Sequence, residues 1–530
     1  MKRYSKPILL FFLITAGLLL RLKCYLENPS LWLDEAALVL TIIRRSFKDI
    51  FLGYDYNPTS PTAPIGFLML EKGAIQLLGN NELVLRAFPF LCSAAAVCSF
   101  FMLAKRYTSA SGAVLALALF ALAGPLIRYA GEVKPYSCDV FVAVVLLLLA
   151  YYMSKTKMSP SRIIFFGFAG AAALWFSYAA LFVLGGALGT LMIFDLRRRK
   201  YARCASFGLV AYLWVLSFLG LYFVEWNQLG QNKSLYEMWA GAFLPWTAGA
   251  GGVLIWLKNS FSSLFSSTMG FSWPYLAAGL FLLGSASLFS KDKEKCFLLI
   301  SPLLAVVLAA AVHKYPFSGR FLLFLVPSLA ILIAEGMAFV GGKLPMSSVA
   351  LRFVLMGCVF FFPLKDAADI FIRSHPREEM RPVMRHFKEH YQPHDAVYLN
   401  NSAQYAYGYY RGYYGLDIQT FFEGIIVEYA AGVPVPPAFD LERHVAFGRY
   451  LYNREGYAVE FRWGDTIKDF LQENAWNEMR YNKRTWLIFS HFPEGYEGAV
   501  LDYFNKEGKM LDDFHAPGAS IYLYDLSRNI

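Results

Sequence analysis

Apolar stretches long enough to cross a membrane recur through the first two thirds of the 530-residue chain, and short polar or basic segments separate them. A membrane-spanning helix needs about 20 predominantly apolar residues. The pattern therefore predicts a polytopic α-helical membrane protein with about eleven transmembrane helices. The predicted spans are 7–22, 83–104, 111–128, 137–153, 162–177, 178–195, 204–224, 273–290, 296–312, 320–340 and 346–364.

One further apolar stretch, residues 62–80, is predicted not to cross the membrane. Glu71 and Lys72 stand in its middle. Counting this stretch as a span would move the basic pair Lys105 and Arg106 to the opposite face from the other basic clusters. We therefore expect a helix that lies in the membrane interface, within the first outer loop.

Six basic clusters flank the predicted spans, and all six fall on one face when eleven spans are counted. Cytoplasmic loops carry an excess of Lys and Arg, so this face is predicted to be cytoplasmic. The N-terminus then lies in the cytoplasm, and the chain after the last span lies outside the plasma (inner) membrane. The clusters are Lys2/Arg3/Lys6, Lys105/Arg106, Lys155/Lys157/Arg162, 197–200 with Arg203, Lys291/Lys293/Lys295, and Lys343.

After the last predicted span the pattern changes to that of a soluble α/β domain. Residues 381–390 have helical periodicity, and three short apolar runs are typical of buried strands. The sequence thus predicts a transmembrane domain over 1–364 and an extracytoplasmic α/β domain over 365–530. The predicted strands are 395–401, 484–490 and 519–526.

The composition agrees with a membrane protein and limits the chemistry. Hydrophobic residues make up 57% of the chain and charged residues 17%, against about 25% charged in soluble domains. The net charge of +10 is explained by cytoplasmic loops, so no nucleic-acid partner is predicted. None of the seven cysteines follows Cys358, so cysteine usage does not reveal the compartment of the C-terminal domain. The sequence has no phosphate-binding glycine loop, dinucleotide fingerprint, CxxC or HExxH motif, so nucleotide chemistry is not predicted.

Two adjacent carboxylates, Asp34 and Glu35, directly follow the first predicted span in the run YLENPSLWLDE. A carboxylate at a membrane interface gains a raised pKa from desolvation, which suits a base that deprotonates a hydroxyl group. The pair could also anchor a cation or a donor substrate. The structural alternative is a helix cap, with Asp34 as N-cap and Glu35 near the positive end of an amphipathic helix over 36–52.

The second outer loop, RYAGEVKPYSCD, places Arg128, Glu132 and Lys134 within one short turn between two spans. Both charge signs beside a proline suit a binding site for an anion. An interfacial belt explains the same residues equally well, with Tyr136 as an aromatic anchor and snorkelling cations. The residues alone leave the two interpretations open.

A third outer segment, HKYPFSGR at 313–320, carries His313, Lys314 and Arg320. Together these side chains would give the outer leaflet a cationic rim suited to a phosphate head group. A single histidine in a membrane region is more often structural than a ligand, and this alternative stays open for His313.

The order of these motifs resembles that of GT-C fold glycosyltransferases. The closest resemblance is to the bacterial branch related to protein O-mannosyltransferases and lipid A aminoarabinose transferases. The resemblance covers most of residues 1–345. It rests on LWLDEA (31–36), NPTSPTAPIGFLMLEKG (57–73), GNNELVLRAFPF (79–90), RYAGEVKPYS (128–137) and KYPFSGRFLLFLVP (314–327).

The resemblance implies an enzyme that moves a sugar from a polyprenyl-phosphate carrier to a lipid, glycan or protein acceptor on the extracytoplasmic face. In that family an acidic residue of the first outer loop is the catalytic base or helps to bind a cation. Asp34 occupies that place, with Glu35 beside it. The family often has His-Pro-Pro near the end of this loop, whereas Ser60–Pro64 here lacks the histidine. No cofactor is therefore certain, and a requirement for a divalent cation stays open.

The resemblance also implies roles for the residues of the other two outer segments. Basic residues meet the carrier phosphate, which suggests Lys134 and Arg320, with Lys314 and Arg128 near them. The second loop shapes the substrate site, which suggests Glu132 and Tyr136. His313 is expected to border the same site.

Two other function classes compete with a glycosyltransferase. A transporter or flippase of lipid-linked sugars usually carries ionisable groups near the bilayer midplane, whereas charges here concentrate in the outer loops. A membrane scaffold whose outer domain binds a partner or a glycan is the third class. The glycosyltransferase is the leading prediction.

Overall fold

The structure is a computed structural model that describes most of the chain in two compact units. The unit that we call the membrane unit comprises Met1–Asn28, Ala63–Val224 and Trp239–Ser374. The sheet unit comprises Pro29–Thr62, Glu225–Met238 and His375–Ile530. The part of the first outer loop over Pro29–Thr62 thus groups with the C-terminal residues, while the division at 364/365 stays a prediction. The residues described are 5–52, 63–229, 239–343, 349–392, 395–400, 402–416, 450–452, 458–460, 484–491 and 495–527.

Helices dominate the described part of the chain, and they are numbered here in sequence order. They are α1 (Ser5–Glu27), α2 (Leu33–Arg44), α3 (Phe47–Leu52), α4 (Ile65–Leu78), α5 (Glu82–Tyr107), α6 (Ala110–Ala121), α7 (Gly124–Arg128), α8 (Tyr136–Lys155), α9 (Pro160–Phe176), α10 (Ala180–Arg197), α11 (Tyr201–Leu229), α12 (Gly249–Ser266), α13 (Pro274–Lys291), α14 (Lys293–Ala311), α15 (Val326–Lys343), α16 (Val349–Ile372), α17 (Met380–His390), α18 (Ala403–Tyr413) and α19 (Tyr496–Glu507). Short 3-10 turns precede α8 at Tyr129–Gly131 and α15 at Gly319–Leu325.

Seven helices of the described chain are long and apolar enough to cross a membrane, or up to eight if the bent pair α6 and α7 counts as one span. The chain is therefore a multi-pass membrane protein. The predicted spans 162–177 and 273–290 correspond to the helices α9 and α13, and the described residues of the span 346–364 belong to α16. They do not meet the same test of length and composition, so the predicted count of about eleven stays a prediction. The seven are Pro7–Glu27, Glu82–Tyr107, Tyr136–Lys155, Ala180–Arg197, Tyr201–Val224, Lys293–Ala311 and Gly319–Lys343.

The predicted interfacial helix over 62–80 corresponds to α4, whose 14 residues are too few to span the hydrocarbon core. Glu71 and Lys72 are buried in the unit rather than exposed at its surface. Burial raises the pKa of Glu71 well above its ordinary value, so the neutral acid is favoured at that position.

A buried arginine closes the break between α6 and α7, which are bent by 57°. Arg21 of α1 is fully buried and donates to the carbonyl oxygens of Gly17 (2.9 Å) and Ala121 (3.0 Å), and to Ser93 Oγ (2.9 Å). The last carbonyls of a helix lack partners within it and carry the negative end of its dipole. The Arg21 guanidinium at the end of α6 therefore donates hydrogen bonds to carbonyl groups that would otherwise lack a partner at the break.

Two glycines allow α13 and α15 to pack backbone against backbone. A Cβ atom added at Gly284 would lie 1.8 Å from the carbonyl oxygen of Leu332, and one at Gly336 would lie 2.0 Å from that of Leu280. Small residues permit such close approach between membrane helices, where van der Waals packing drives association.

The sheet unit includes the part of the predicted α/β domain from His375 onward. Its four-stranded sheet has the order β1-β4-β6-β5, with β1 parallel to β4 and the other neighbours antiparallel. The three predicted strands are confirmed as β1, β4 and β6, and the predicted helix 381–390 is confirmed as α17. A separate two-stranded ladder pairs β2 with β3. The strands are β1 (Ala396–Leu399), β2 (Tyr450–Tyr452), β3 (Ala458–Glu460), β4 (Arg484–Ser490), β5 (Lys509–Ala516) and β6 (Ala519–Asp525).

The core of this sheet forms because β1, β4 and β6 are apolar along their length and are buried on both faces. Aromatic side chains fill it against α19, among them Tyr398, Phe489, Phe504 and Tyr524. The strand β5, by contrast, alternates between exposed and partly buried positions, as expected at the edge of a sheet. The central strands of the sheet thus support the neighbouring loops and helix ends. These loops and helix ends contact the first outer loop.

Candidate functional site

The predicted catalytic carboxylates lie in the first turn of α2. The helix begins at Leu33, and its N-cap is Trp32, whose side chain makes no capping hydrogen bond. The prediction that Asp34 is the N-cap is therefore wrong, because the helix starts one residue before it. Both carboxylates still lie where the helix dipole favours negative charge.

A carboxylate from a distant part of the sequence supplies the missing cap. Glu378 is buried, and its Oε2 accepts hydrogen bonds from the Leu33 backbone N–H at 2.8 Å and from Ser490 Oγ at 3.2 Å. Its Oε1 accepts from Nδ1 of His491 at 2.6 Å. The first turn of α2 is thus held by residues near the start of α17 and the end of β4.

The residues just before α2 are fixed by further contacts within the sheet unit. Glu379 accepts from the backbone N–H of Ser30 at 3.1 Å and from its hydroxyl at 2.8 Å. The Leu31 N–H donates to the hydroxyl of Tyr410 at 2.9 Å. The guanidinium of Arg377 lies over the Trp32 ring, 4.4 Å from its centroid. These contacts fix the path of the chain into α2 and therefore the position of Asp34.

Asp34 and Glu35 differ in accessibility. Glu35 is almost fully buried, at 1% exposure, whereas Asp34 is partly exposed. A substrate hydroxyl can reach only a carboxylate that is open to the surface. Of the two carboxylates, that of Asp34 is therefore the one that a substrate could contact, whereas that of Glu35 is enclosed in the first turn of α2.

The imidazole of His491 interacts electrostatically with Asp34. The hydrogen bond to Glu378 is the main cause that raises the pKa of His491, and the charges of Glu378 and Asp34 act in the same direction. Partial burial and the charge of Arg377 oppose that rise. The protonated imidazole is thereby favoured. In that protonated form the imidazole carries a positive charge that interacts favourably with the Asp34 carboxylate.

A second group of predicted residues lies in the membrane unit, around the loop before α8. Glu132 and Lys134 are buried, and the Lys134 backbone N–H donates to the Glu132 carbonyl at 2.8 Å. Tyr136 begins α8 and packs edge-on against Tyr129, with ring centroids 5.0 Å apart. The hydroxyl of Ser137 donates to the Tyr129 carbonyl at 2.9 Å. The loop is therefore a rigid turn rather than a mobile connection.

Arg320 joins this turn through aromatic side chains. Its guanidinium lies 5.9 Å from the ring centroid of Tyr136, 5.4 Å from that of Trp239 and 5.8 Å from that of Phe321. An arginine stacked on aromatic faces keeps its charge and its planar hydrogen-bonding edge. The structure thus brings together Tyr136 and Arg320, two of the residues that the sequence analysis selected.

The other predicted residues of this unit have different surroundings. His313 donates from Nε2 to the Leu244 carbonyl at 2.8 Å and has a positive φ of 55°, which is a structural role in a tight connection. Lys314 is exposed. Arg128 forms an ion pair with Asp366. Among the described residues, Asp34 and Glu35 do not belong to a group of three side chains that could hold a metal ion.

The sequence analysis missed the acidic pair Glu378 and Glu379. It is also a run of two adjacent carboxylates, and it lies between the last predicted span and the first helix of the C-terminal domain. Two acidic pairs on the same predicted face would have been the available signal. His491 gave no such signal, because it follows a buried strand and belongs to no motif.

Comparisons with known proteins agree with this architecture. Residues 62–223 match the family model described as dolichyl-phosphate-mannose-protein mannosyltransferase. This region includes the second outer loop with Glu132 and Lys134. No curated protein sequence matches the chain.

Solved structures share the fold over nearly the whole chain. The Archaeoglobus fulgidus oligosaccharyltransferase in complex with Zn and sulfate has 14% identity and a TM-score of 0.53, over 97% of this chain and 73% of that chain. The same enzyme tethered to an acceptor peptide has 13% identity and a TM-score of 0.54, over 99% and 74%. ArnT from Cupriavidus metallidurans in the apo state has 11% identity and a TM-score of 0.52, over 97% of each chain.

These identities are low, so the structural matches define a fold rather than a substrate. The chain is a multi-pass membrane protein with the GT-C fold, extended by a C-terminal α/β region. The resemblance inferred from the order of the sequence motifs is therefore confirmed for the fold.

Proposed function

We propose that this chain is a membrane glycosyltransferase that moves a sugar from a polyprenyl-phosphate carrier to an acceptor on the extracytoplasmic face. The observation that carries the proposal is a partly exposed carboxylate, Asp34, at a helix start held by buried hydrogen bonds, in a chain with the GT-C fold. The match of 62–223 to a mannosyltransferase family model supports the same class of reaction. The acceptor is a lipid, a glycan or a protein.

In the proposed reaction Asp34 is the general base. Its carboxylate takes the proton of an acceptor hydroxyl as the hydroxyl oxygen attacks the anomeric carbon of the sugar. The bond between that carbon and the phosphate oxygen breaks, and the polyprenyl phosphate leaves with the electron pair. Attack from the face opposite the phosphate inverts the anomeric centre, which needs one carboxylate rather than the close pair of a retaining enzyme.

The leaving phosphate needs compensation of charge more than it needs a proton. We assign this role to Lys134 and Arg320, with Lys314 and Arg128 as further cations on the same predicted face. Donors fixed before the reaction stabilise developing charge without a cost of reorganisation. The stacking of Arg320 on aromatic rings is such a fixed arrangement.

The remaining predicted residues shape the site rather than take part in bond changes. Glu132 and Tyr136 belong to the rigid turn before α8, and His313 holds the connection to Leu244. Glu35 supports the start of α2 from its buried position. A requirement for a divalent cation stays a prediction, and the steps above use only side chains of this chain.

We also propose an orientation of the chain. The basic clusters support an N-terminus in the cytoplasm and residues 365–530 outside the inner membrane. The donor then reaches the site laterally through the lipid, and a cytosolic nucleotide site is not needed. This agrees with the lack of nucleotide-binding motifs in the sequence.

The test compares cell-envelope glycans by mass spectrometry in cells that produce wild-type protein, Asp34→Asn or Asp49→Asn. Asp49 is a matched control, because it lies in the same loop and its carboxylate accepts local hydrogen bonds from the backbone N–H of Ser46 at 3.1 Å and from the Ser46 hydroxyl. The expected result is loss of one defined sugar with Asp34→Asn alone, at equal protein level. Unchanged glycans in the Asp34 variant would overturn its role as base.

A further inference from the structure

Two histidines one helical turn apart on α17 converge with an aspartate of β5. His386 Nε2 lies 2.7 Å from Asp512 Oδ2, and one potential ligand atom each from His386, His390 and Asp512 lies within 4.8 Å of the others. We propose that this cluster binds a first-row transition-metal ion such as Zn²⁺, at a site separate from Asp34. Two imidazoles and a carboxylate are a ligand set that suits zinc.

The hydrogen bond of His390 leaves its Nε2 atom available to bind a metal ion. Its Nδ1 lies 2.9 Å from the backbone carbonyl of His386, and because a carbonyl can only accept, Nδ1 carries the proton. The neutral ring then has its lone pair on Nε2. A backbone carbonyl that orients a histidine in this way is the usual partner of a metal-binding imidazole.

His386 is held in place by aromatic neighbours. Its ring stacks on Phe514 at a centroid distance of 5.0 Å and an interplanar angle of 13°, and it meets the edge of Trp486 at 6.3 Å. The His386 and His390 rings lie 4.3 Å apart. These contacts restrict the ring, so binding an ion costs little side-chain entropy.

The backbones of α17 and of β5 both favour a cation at the cluster of His386, His390 and Asp512. His386 and His390 lie toward the C-terminal end of α17, where the helix dipole is negative. On β5, the register shifts between Met510 and Asp512 in the pairing with β6. Such bulges commonly re-aim a side chain, and here Asp512 is the residue that reaches the histidines.

The cluster is open enough to receive an ion. The His386 side chain is 16% exposed and that of Asp512 is 33% exposed, and His390 is exposed. Three protein ligands leave a position for water in a four-coordinate zinc site. The ion would take the place of the proton that His386 shares with Asp512, and that proton passes to solvent or to Nδ1.

The proposed ion would bind far from the contacts that hold Asp34. Glu378 precedes α17, and His386 lies eight residues further along, which corresponds to about 12 Å at the rise of an α-helix. An ion bridging α17 to β5 would fix the helix whose other end contacts the residues before α2. Its effect is therefore structural, through the position of α17.

The experiment uses full-length protein in detergent, purified without a polyhistidine tag and freed of metal with a chelator. Zn²⁺ is titrated by calorimetry, and Co²⁺ is titrated by visible absorption, because its d–d bands report nitrogen ligands. The variants are His390→Gln and Asp512→Asn. The matched control is His515→Gln, since His515 lies on the same strand, is exposed and pairs with Asp513 rather than with α17.

The expected result is one saturable site per chain and a higher unfolding temperature with Zn²⁺. The affinity should fall by at least about tenfold in His390→Gln and in Asp512→Asn, and the His515 control should bind as wild type does. Wild-type affinity in both cluster variants, or no saturable binding by the wild type, would overturn the proposal. Loss of the same binding in Asp34→Asn would place the ion at Asp34 and would equally overturn it.

Discussion

The substitution Glu378→Gln tests whether the C-terminal region positions α2, the helix that carries the proposed base Asp34. Glu378 accepts from three donors, namely the Leu33 backbone, the Ser490 hydroxyl and the His491 ring. Glutamine keeps the shape of the side chain but has only one accepting oxygen. Its amino group must therefore face at least one donor that was previously bonded.

The loss can be estimated from these contacts. A hydrogen bond to a charged group contributes about 1.5–3 kcal/mol, and the contribution of His491 is discounted because its side chain is 49% exposed. The bond to Leu33 is partly buried and the bond to Ser490 is buried, so these two keep most of their contribution. We expect a loss of about 2 kcal/mol in the free energy of unfolding of the sheet unit, or a fall of about 4–8 °C in its melting temperature.

The catalytic effect should be larger than the effect on stability alone. A displacement of about 1 Å in a catalytic group can lower a rate by about 100-fold, and Glu378 fixes the first turn that carries Asp34. We expect sugar transfer by Glu378→Gln to fall by about 10- to 100-fold in kcat, with a smaller change in KM. The assay is transfer from a polyprenyl-phosphate sugar at a temperature where both proteins are folded.

The matched control for this variant is Glu389→Gln, which removes the same charge from an exposed position on the same helix, α17. It should retain wild-type melting and transfer. A Glu378→Gln protein with wild-type melting and kcat would refute the positioning role. A lower melting temperature with unchanged kcat would restrict Glu378 to a structural role.

Three further predictions follow from single features. The pKa of His491 is raised on folding, so its protonation stabilises the sheet unit fully below about pH 6.5, the pKa in the unfolded chain. Thermal melts should show this stabilisation decreasing as the pH rises through the higher pKa of the folded state. The His491→Gln variant should lack this dependence of the melting temperature on pH. Arg320→Lys, which keeps the charge but loses the planar stack on Trp239, should lower donor affinity by several-fold in a KM measurement, and Arg320→Gln should lower it further. Gly336→Leu should prevent α15 from packing on α13 and lower the melting temperature in detergent, whereas Gly341→Leu, with open space at Cβ, should not.

Much of the fold follows from local sequence patterns. The apolar runs 484–490 and 519–526 became central strands with nearly the predicted bounds, because a strand buried on both faces needs uninterrupted apolar residues. The amphipathic repeat at 381–390 became α17 for a similar reason. In each of these elements the decisive information is local.

The features that escaped prediction depend on distant partners. Trp32 is a poor N-cap, and α2 begins after it only because Glu378 supplies the cap from 345 residues away. Arg21 interrupts an apolar run, and its hydrogen-bond partners outside α1, Ser93 and the end of α6 at Ala121, come together only in the folded chain. No periodicity in either segment encodes these contacts, because they arise from tertiary packing.

Only part of the candidate site could be predicted from the sequence, for the same reason. Asp34 could be selected from its place after the first span, and its difference from Glu35 needed the structure, since both are carboxylates in one motif. Tyr136 and Arg320 were selected separately, and only the fold brings them together. The residues that hold Asp34 in place were not selected, because their role is to contact the backbone rather than a substrate.

The most direct test of the proposed function is release of polyprenyl phosphate by purified protein in proteoliposomes that contain a polyprenyl-phosphate sugar and an acceptor extract. We expect wild type and Asp49→Asn to release polyprenyl phosphate as the sugar appears on an acceptor, and folded Asp34→Asn to give neither product. Movement of the intact lipid-linked sugar across the bilayer without release, or full release by Asp34→Asn, would contradict the proposed function.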